Sequence, residues 1–218
     1  PVAVARRPRV APGARGRAEG AGVSHTPVRR LPPGRCAACA FPRDLCLCDR
    51  IPRLEVPIQF VILRHASEIP RLSSTVRWAA LALPGSRIVD YALPGAPLED
   101  GWLATEGAWA LFPSGVPTPR GSVRPARIIV PDGTWQQARR MMHRVPALQR
   151  LPRLTLPAAV PALRLRQPPM AGGMSTLEAI AGALRFLDHA AEADGLLALN
   201  SLAVERAARL RGLAAALT

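Results

Sequence analysis

The sequence contains no lysine: all 29 basic residues in its 218 positions are arginine, against 15 acids, for a formal net charge of +14. That imbalance favours an anionic partner, nucleic acid first, although arginine in place of lysine is also what GC-rich coding produces. No apolar run approaches the ~18 to 20 residues that a membrane span needs, so a soluble protein with no membrane partner is expected. The basic N-terminal stretch lacks the apolar segment of a secretory signal, so export is not indicated and a cytoplasmic location is expected. There is no internal repeat. Apolar residues still make up 49% of the chain, enough for a sizeable core, which excludes a chain disordered throughout. The length suits one domain, or one domain with a small appendage.

Acids are scarcest in two places. Residues 1–35 hold eight arginines and one acid, Glu19, among Pro, Gly and Ala without apolar periodicity. Residues 1–34 therefore read as a disordered basic arm, a solvated tail or a loose tether for nucleic acid. Residues 120–166 hold ten arginines and a single acid, Asp132. A lone carboxylate in so basic a segment marks itself for attention.

Cysteine is scarce too, and concentrated. The four cysteines form Cys36-x-x-Cys39 and Cys46-x-Cys48. Two close pairs with a short loop between them match tetrathiolate zinc ligation, and four sulfurs leave no open position for catalysis. Two disulfides are the alternative, but loops this tight sit awkwardly with disulfide geometry. A structural metal is the favoured reading, and residues 35–54 are taken as a zinc knuckle.

Beyond the knuckle, residues 55–218 alternate strand and helix patterns. Pro57–Leu63 is a short, nearly continuous apolar run, as a buried parallel strand requires. Further short strands are predicted at 87–91, 108–112, 127–130 and 154–156. Helical spacing marks 71–83, 134–144, 175–190 and 196–213, with Pro84-Gly85 and Pro146 as stops. This alternation predicts an α/β fold, a mostly parallel sheet with flanking helices.

Three polar segments interrupt that pattern where chain passes into helix. Arg64-His65-Ala-Ser-Glu68-Ile-Pro-Arg71 runs on to Ser73-Ser74-Thr75 after the first strand, where open α/β sheets bind ligands. By spacing alone, His65 is a loop histidine and Ser73 to Thr75 are helix caps. Asp132-Gly133-Thr134-Trp135 follows the fourth strand, and Thr134-x-x-Gln137 has the form of a capping box. Trp135 is either core or a flat surface for a base or cofactor. Met170-Ala-Gly172-Gly173-Met174-Ser175-Thr176-Leu-Glu178 contains a second capping box, Ser175-x-x-Glu178.

Taken together, the CxxC…CxC knuckle, His65-x-x-Glu68-x-x-Arg71, Leu111-Phe112-Pro113, Asp132-Gly-Thr134-Trp135 and Ser175-Thr176-Leu-Glu178-Ala179 resemble the DTW-domain family of tRNA-uridine aminocarboxypropyltransferases. The resemblance covers roughly residues 35–190 and keeps the family's motif order. One departure is Ser73-Ser74-Thr75, where the family often reads Thr-Asn-Thr.

The resemblance implies a SPOUT-like knotted cofactor region and S-adenosylmethionine as cofactor. It implies tRNA as partner, and transfer of a 3-amino-3-carboxypropyl group to N3 of a uridine, releasing methylthioadenosine. Asp132 would then be the catalytic base. An unperturbed Asp pKa of about 3.9 is low for that work, and desolvation under the bound base would raise it. Leu111, Phe112, Pro113, Thr134, Trp135, Ser175 and Thr176 are the expected cofactor-binding residues. The carboxylate of the transferred group needs donors, with Arg71 or the start of the Ser175 helix as candidates. His65, Glu68, Arg71, Thr75, Arg139, Arg140 and Arg144 are the expected substrate-binding residues. The competing readings are a SPOUT-type RNA methyltransferase and a non-catalytic zinc-knuckle RNA-binding protein. Oligomeric state is left open.

Overall fold

The computed structural model describes residues 31–71, 73–113, 115–116, 118–157 and 173–210. The expected basic arm lies outside the described residues for 1–30. So do Leu72, Arg164, Arg166, Met170 to Gly172, and the end of the last predicted helix beyond 210.

Five parallel strands form one sheet: β1 (Gln59–His65), β2 (Arg87–Tyr91), β3 (Ala108–Leu111), β4 (Arg127–Asp132) and β5 (Arg153–Leu154), in the order β2-β1-β4-β3-β5. The helices are α1 (Val76–Ala82), α2 (Trp135–Arg144), α3 (Pro146–Arg150), α4 (Thr176–Phe186) and α5 (Ala190–Leu210). No helix among the described residues is long and apolar enough to cross a membrane.

The central strands explain the apolar runs. Phe60 to Leu63 in β1 and Ile128 to Ile129 in β4 are fully buried, because helices cover both faces of the sheet. Alternate residues divide between two cores. Phe60, Ile62, Ile128 and Val130 pack with α1, α4 and α5, whereas Val61, Leu63 and Ile129 pack with Met141 and Met142 of α2 and Leu148 of α3. Each fully buried Leu, Ile or Phe contributes about 1.5–3 kcal/mol, so these central strands anchor both layers.

The predicted element types hold, with ends shifted by up to six residues: α1 begins at Val76 rather than 71, and α5 at Ala190 rather than 196. The exception is α3. Pro146 was expected only to stop α2. It also opens α3 at the first helical position, where a missing N–H costs nothing. The Ala147 N–H behind it donates to Asp100 Oδ2 at 2.8 Å, a cap supplied from a distant loop.

The cysteine segment packs on the main core. Cys39, Phe41 and Leu47 are fully buried within the cluster that α1, α4 and α5 share. Trp78 of α1 stacks on Phe41 (centroids 5.6 Å apart) and donates its indole N–H to the Cys39 carbonyl at 2.9 Å. Arg206 of α5 donates to the carbonyls of Leu45 and Cys46.

Candidate active site

The polar segments meet at the carboxyl ends of β1 and β4. There Arg64 pairs in register with Asp132 on one side and with Asp90 of β2 on the other. The pleat sends Arg64 and Asp132 to the face covered by α1 and α4, and sends His65 to the face covered by α2. The corner is therefore divided into two groups of side chains by one sheet.

On the α1–α4 face, Asp132 is 5% exposed and its Oδ1 accepts a 2.5 Å hydrogen bond from the Thr176 hydroxyl. Thr176 is held there by the capping box expected from sequence: the Ser175 hydroxyl accepts from the Glu178 N–H, and Glu178 accepts from the Ser175 N–H. A Ser cap of this kind stabilises a helix start by about 1 kcal/mol. Thr75, expected as a cap with its own side chain, makes no such bond in α1. Instead its hydroxyl accepts from the Leu177 N–H at 3.2 Å, joining the starts of α1 and α4. Arg64 donates twice to Asp90, at 2.7 and 3.1 Å. Buried Glu68 lies 3.6 Å from the half-exposed guanidinium of Arg71.

On the α2 face the groups are neutral. His65 ends β1 rather than sitting in a loop. Its Nδ1 accepts from the Ser67 N–H at 3.2 Å, with the Ser67 hydroxyl at 2.9 Å and Gln137 Nε2 at 3.2 Å. Burial pushes its pKa below the usual histidine value; Glu68 opposes that shift and Arg71 adds to it. Gln137 also completes the Thr134 capping box of α2. Gly133 makes this closeness possible: a Cβ there would lie 2.9 Å from Gln137 Oε1 and 3.4 Å from His65 Cβ. Trp135 is only partly buried and stacks on Phe112 of the β3–β4 connection, ring centroids 5.2 Å apart and planes 11° from parallel. Leu111 is buried, whereas Pro113, Thr134, Arg139, Arg140 and Arg144 are exposed.

The four cysteine sulfurs all lie within 4.8 Å of one another. Cys36–Cys48 and Cys39–Cys46 are each 3.6 Å apart, and none is disulfide-bonded. A tetrahedron with Zn–S of about 2.3 Å has S···S edges of about 3.8 Å, so the donor set and spacing fit zinc. Backbone N–H groups of Cys39 and then Ala38 bring the Cys36 thiol down to about 6, while burial pushes Cys39 up. Those N–H groups favour the thiolate of Cys36, the form that binds metal.

Several members of the corner were not singled out from sequence: Asp90, Ser67 and Arg77, and Gln137 beyond its capping role. Arg77 of α1 is 7% exposed and donates to the Ile69 carbonyl at 2.8 Å. An arginine inside an otherwise apolar helical face, Val76-Arg77-Trp78-Ala79, was the available signal.

Fold and site together define a parallel α/β protein with a buried carboxylate, an aromatic stack and a thiol knuckle, the polar groups gathered at the carboxyl ends of adjacent strands. The chain belongs to the DTW-domain family, whose model matches residues 34–208. A tRNA-uridine aminocarboxypropyltransferase 2 from Drosophila melanogaster is 30% identical over 180 residues, covering 77% of this chain and 71% of that protein. Proteins of the same name from Mus musculus (32% over 168 residues) and Macaca fascicularis (27% over 176) cover 70% and 74% of this chain. The chain spans only 56% and 58% of the length of those two relatives. No solved structure matches.

Proposed function

We propose that this chain transfers the 3-amino-3-carboxypropyl group of S-adenosylmethionine to N3 of a uridine in tRNA. The observation that carries the reading is Asp132, buried at the end of β4 and held by Thr176 from the start of α4. The residues of two separate family motifs thereby act on one carboxylate. The names of the three relatives support the same reading.

When bound, S-adenosylmethionine supplies a sulfonium with electrophilic carbons, of which the γ-carbon of the methionine chain must face the acceptor. The residues present suit such a molecule. The stacked Phe112–Trp135 pair offers a flat apolar surface to an adenine ring, beside buried Leu111. Ser175 and Thr176 stand at the start of α4, next to Asp132. A SPOUT-related knotted cofactor region belongs to this reading. The span between β5 and α4 that would bear on it, 158–172, lies outside the described residues.

Uridine N3–H is a weakly acidic imide, a poor nucleophile until deprotonated. Asp132 accepts that proton, and the Thr176 hydroxyl fixes one carboxylate oxygen so that the base is presented in one orientation. Neutral His65, its Nδ1 occupied as an acceptor, keeps Nε2–H as a donor toward the substrate side. The uridine must leave its stack for N3 to be reached. Arg139, Arg140 and Arg144, exposed on α2, meet tRNA phosphates. Zinc in the knuckle is structural, and the reaction belongs to the cytoplasm.

The experiment is incubation with bulk tRNA and S-adenosylmethionine, digestion, and mass analysis of the nucleosides. Uridine carrying the aminocarboxypropyl mass, with methylthioadenosine released, is the expected result. A methyl adduct assigns the chain to RNA methyltransferases instead, and unmodified tRNA without cofactor binding assigns it to RNA-binding proteins.

A further inference from the structure

The arginines at the carboxyl end of β1 are not equally provided for. Arg64 has both oxygens of Asp90, and Arg71 has Glu68. Arg77 is more deeply buried than either, and it donates to a neutral acceptor, the Ile69 carbonyl. Its Nε is buried with no hydrogen-bond partner among the described residues. Burial and the neighbouring Arg64 cation both disfavour its charge. Three residues earlier, Ser74 is 1% exposed, and its hydroxyl likewise has no partner among the described residues.

Buried guanidinium groups are found paired with anions, because removing an uncompensated charge from water is costly. Here two unused donors, one of them cationic, flank Thr75 in sequence, and the Thr75 hydroxyl accepts from Leu177, the neighbour of the Thr176 that holds Asp132. A planar carboxylate matches a guanidinium in charge and in geometry, and a serine hydroxyl adds a further donor.

We propose that Arg77, together with the Ser74 hydroxyl, anchors the α-carboxylate of the aminocarboxypropyl group. The inference rests on the donor assignment above and deepens it. Holding the far end of the amino-acid chain sets which carbon on the sulfonium faces the acceptor, so this pair determines which group is transferred. Arg71, the candidate by sequence, is the poorer anchor: its side chain is 44% exposed and already faces Glu68.

The test compares two ligands by calorimetry on the full chain. S-Adenosylmethionine carries the carboxylate; methylthioadenosine lacks the whole amino-acid chain. Arg77→Gln is expected to weaken S-adenosylmethionine about 10- to 100-fold, as loss of a charge-assisted hydrogen bond does, and to leave methylthioadenosine within about twofold. Ser74→Ala should weaken only the former, by a few-fold, and Arg77→Lys should fall between wild type and Arg77→Gln. Unchanged S-adenosylmethionine affinity, or equal loss of both ligands, overturns the anchor. If Arg77→Gln does not fold, the Arg77→Lys and Ser74→Ala ratios decide. Wild type binding neither ligand overturns the donor assignment itself, and the anchor with it.

Discussion

The cysteine knuckle and the carboxyl-end corner are built in opposite ways. The knuckle draws its four ligands from thirteen consecutive residues, and its neighbours are core side chains and backbone carbonyls. The corner draws Asp132, Thr176, Thr75 and His65 from four elements spread over more than a hundred residues. The knuckle has four donors of one chemical kind, all thiols; the corner separates charge on one face of the sheet from neutral acceptors and donors on the other. The difference teaches that a local cluster and a site assembled from distant segments can share one helix: in α1, Trp78 bonds to the Cys39 carbonyl while Arg77 bonds to the Ile69 carbonyl beyond β1.

That division can be broken at three points. The largest effect on stability is expected from the knuckle. Cys39→Ser, or stripping metal with a chelator, should lower stability by about 3 kcal/mol, roughly 6–12 °C in melting temperature for a chain of this size. Activity should fall only as folded protein is lost. A Cys39→Ser protein that melts normally yet fails to transfer would move the knuckle into the site. Next comes Asp132→Asn, expected to cut transfer by about 10²- to 10⁴-fold while cofactor binding and melting temperature persist. Near-normal product by mass would remove Asp132 from its role.

The smallest effect concerns His65. Its pKa is held below 6.5 in the folded chain, chiefly by burial. The neutral ring therefore contributes stability that is present above about pH 6.5 and is lost as pH falls through the lower folded value. His65→Asn keeps an acceptor near the Nδ1 position and does not titrate. Its melting temperature should fall less than that of wild type between pH 7 and 5. Parallel profiles would show that His65 is not the titrating group.

What the sequence could disclose followed the same local-versus-distant division. The cysteine spacing, the buried run of β1 and both capping boxes are short-range patterns, and each is realised. Asp132 stood out because acids are missing around it. Nothing local discloses that Thr176 reaches Asp132, or that Arg64 is claimed by Asp90, because sheet register sets those meetings across long stretches of chain. His65 looked like a loop residue because β1 runs two residues past its apolar stretch. The α3 helix stayed hidden because its cap, Asp100, is remote in sequence. Trp135 was weighed as core or surface; stacking on Phe112 leaves it partly exposed, a choice that needed the β3–β4 connection to be placed.

The bond from Arg206 to the carbonyls of Leu45 and Cys46 spans about 160 residues, and that has a consequence for biosynthesis. At roughly 5–20 residues per second, translation leaves an interval of about 8–32 s between the emergence of the four thiols and that of the helix that clamps their loop. The nascent knuckle spends that time open on its α5 side. Metal capture by the thiols can therefore precede closure of their loop by α5.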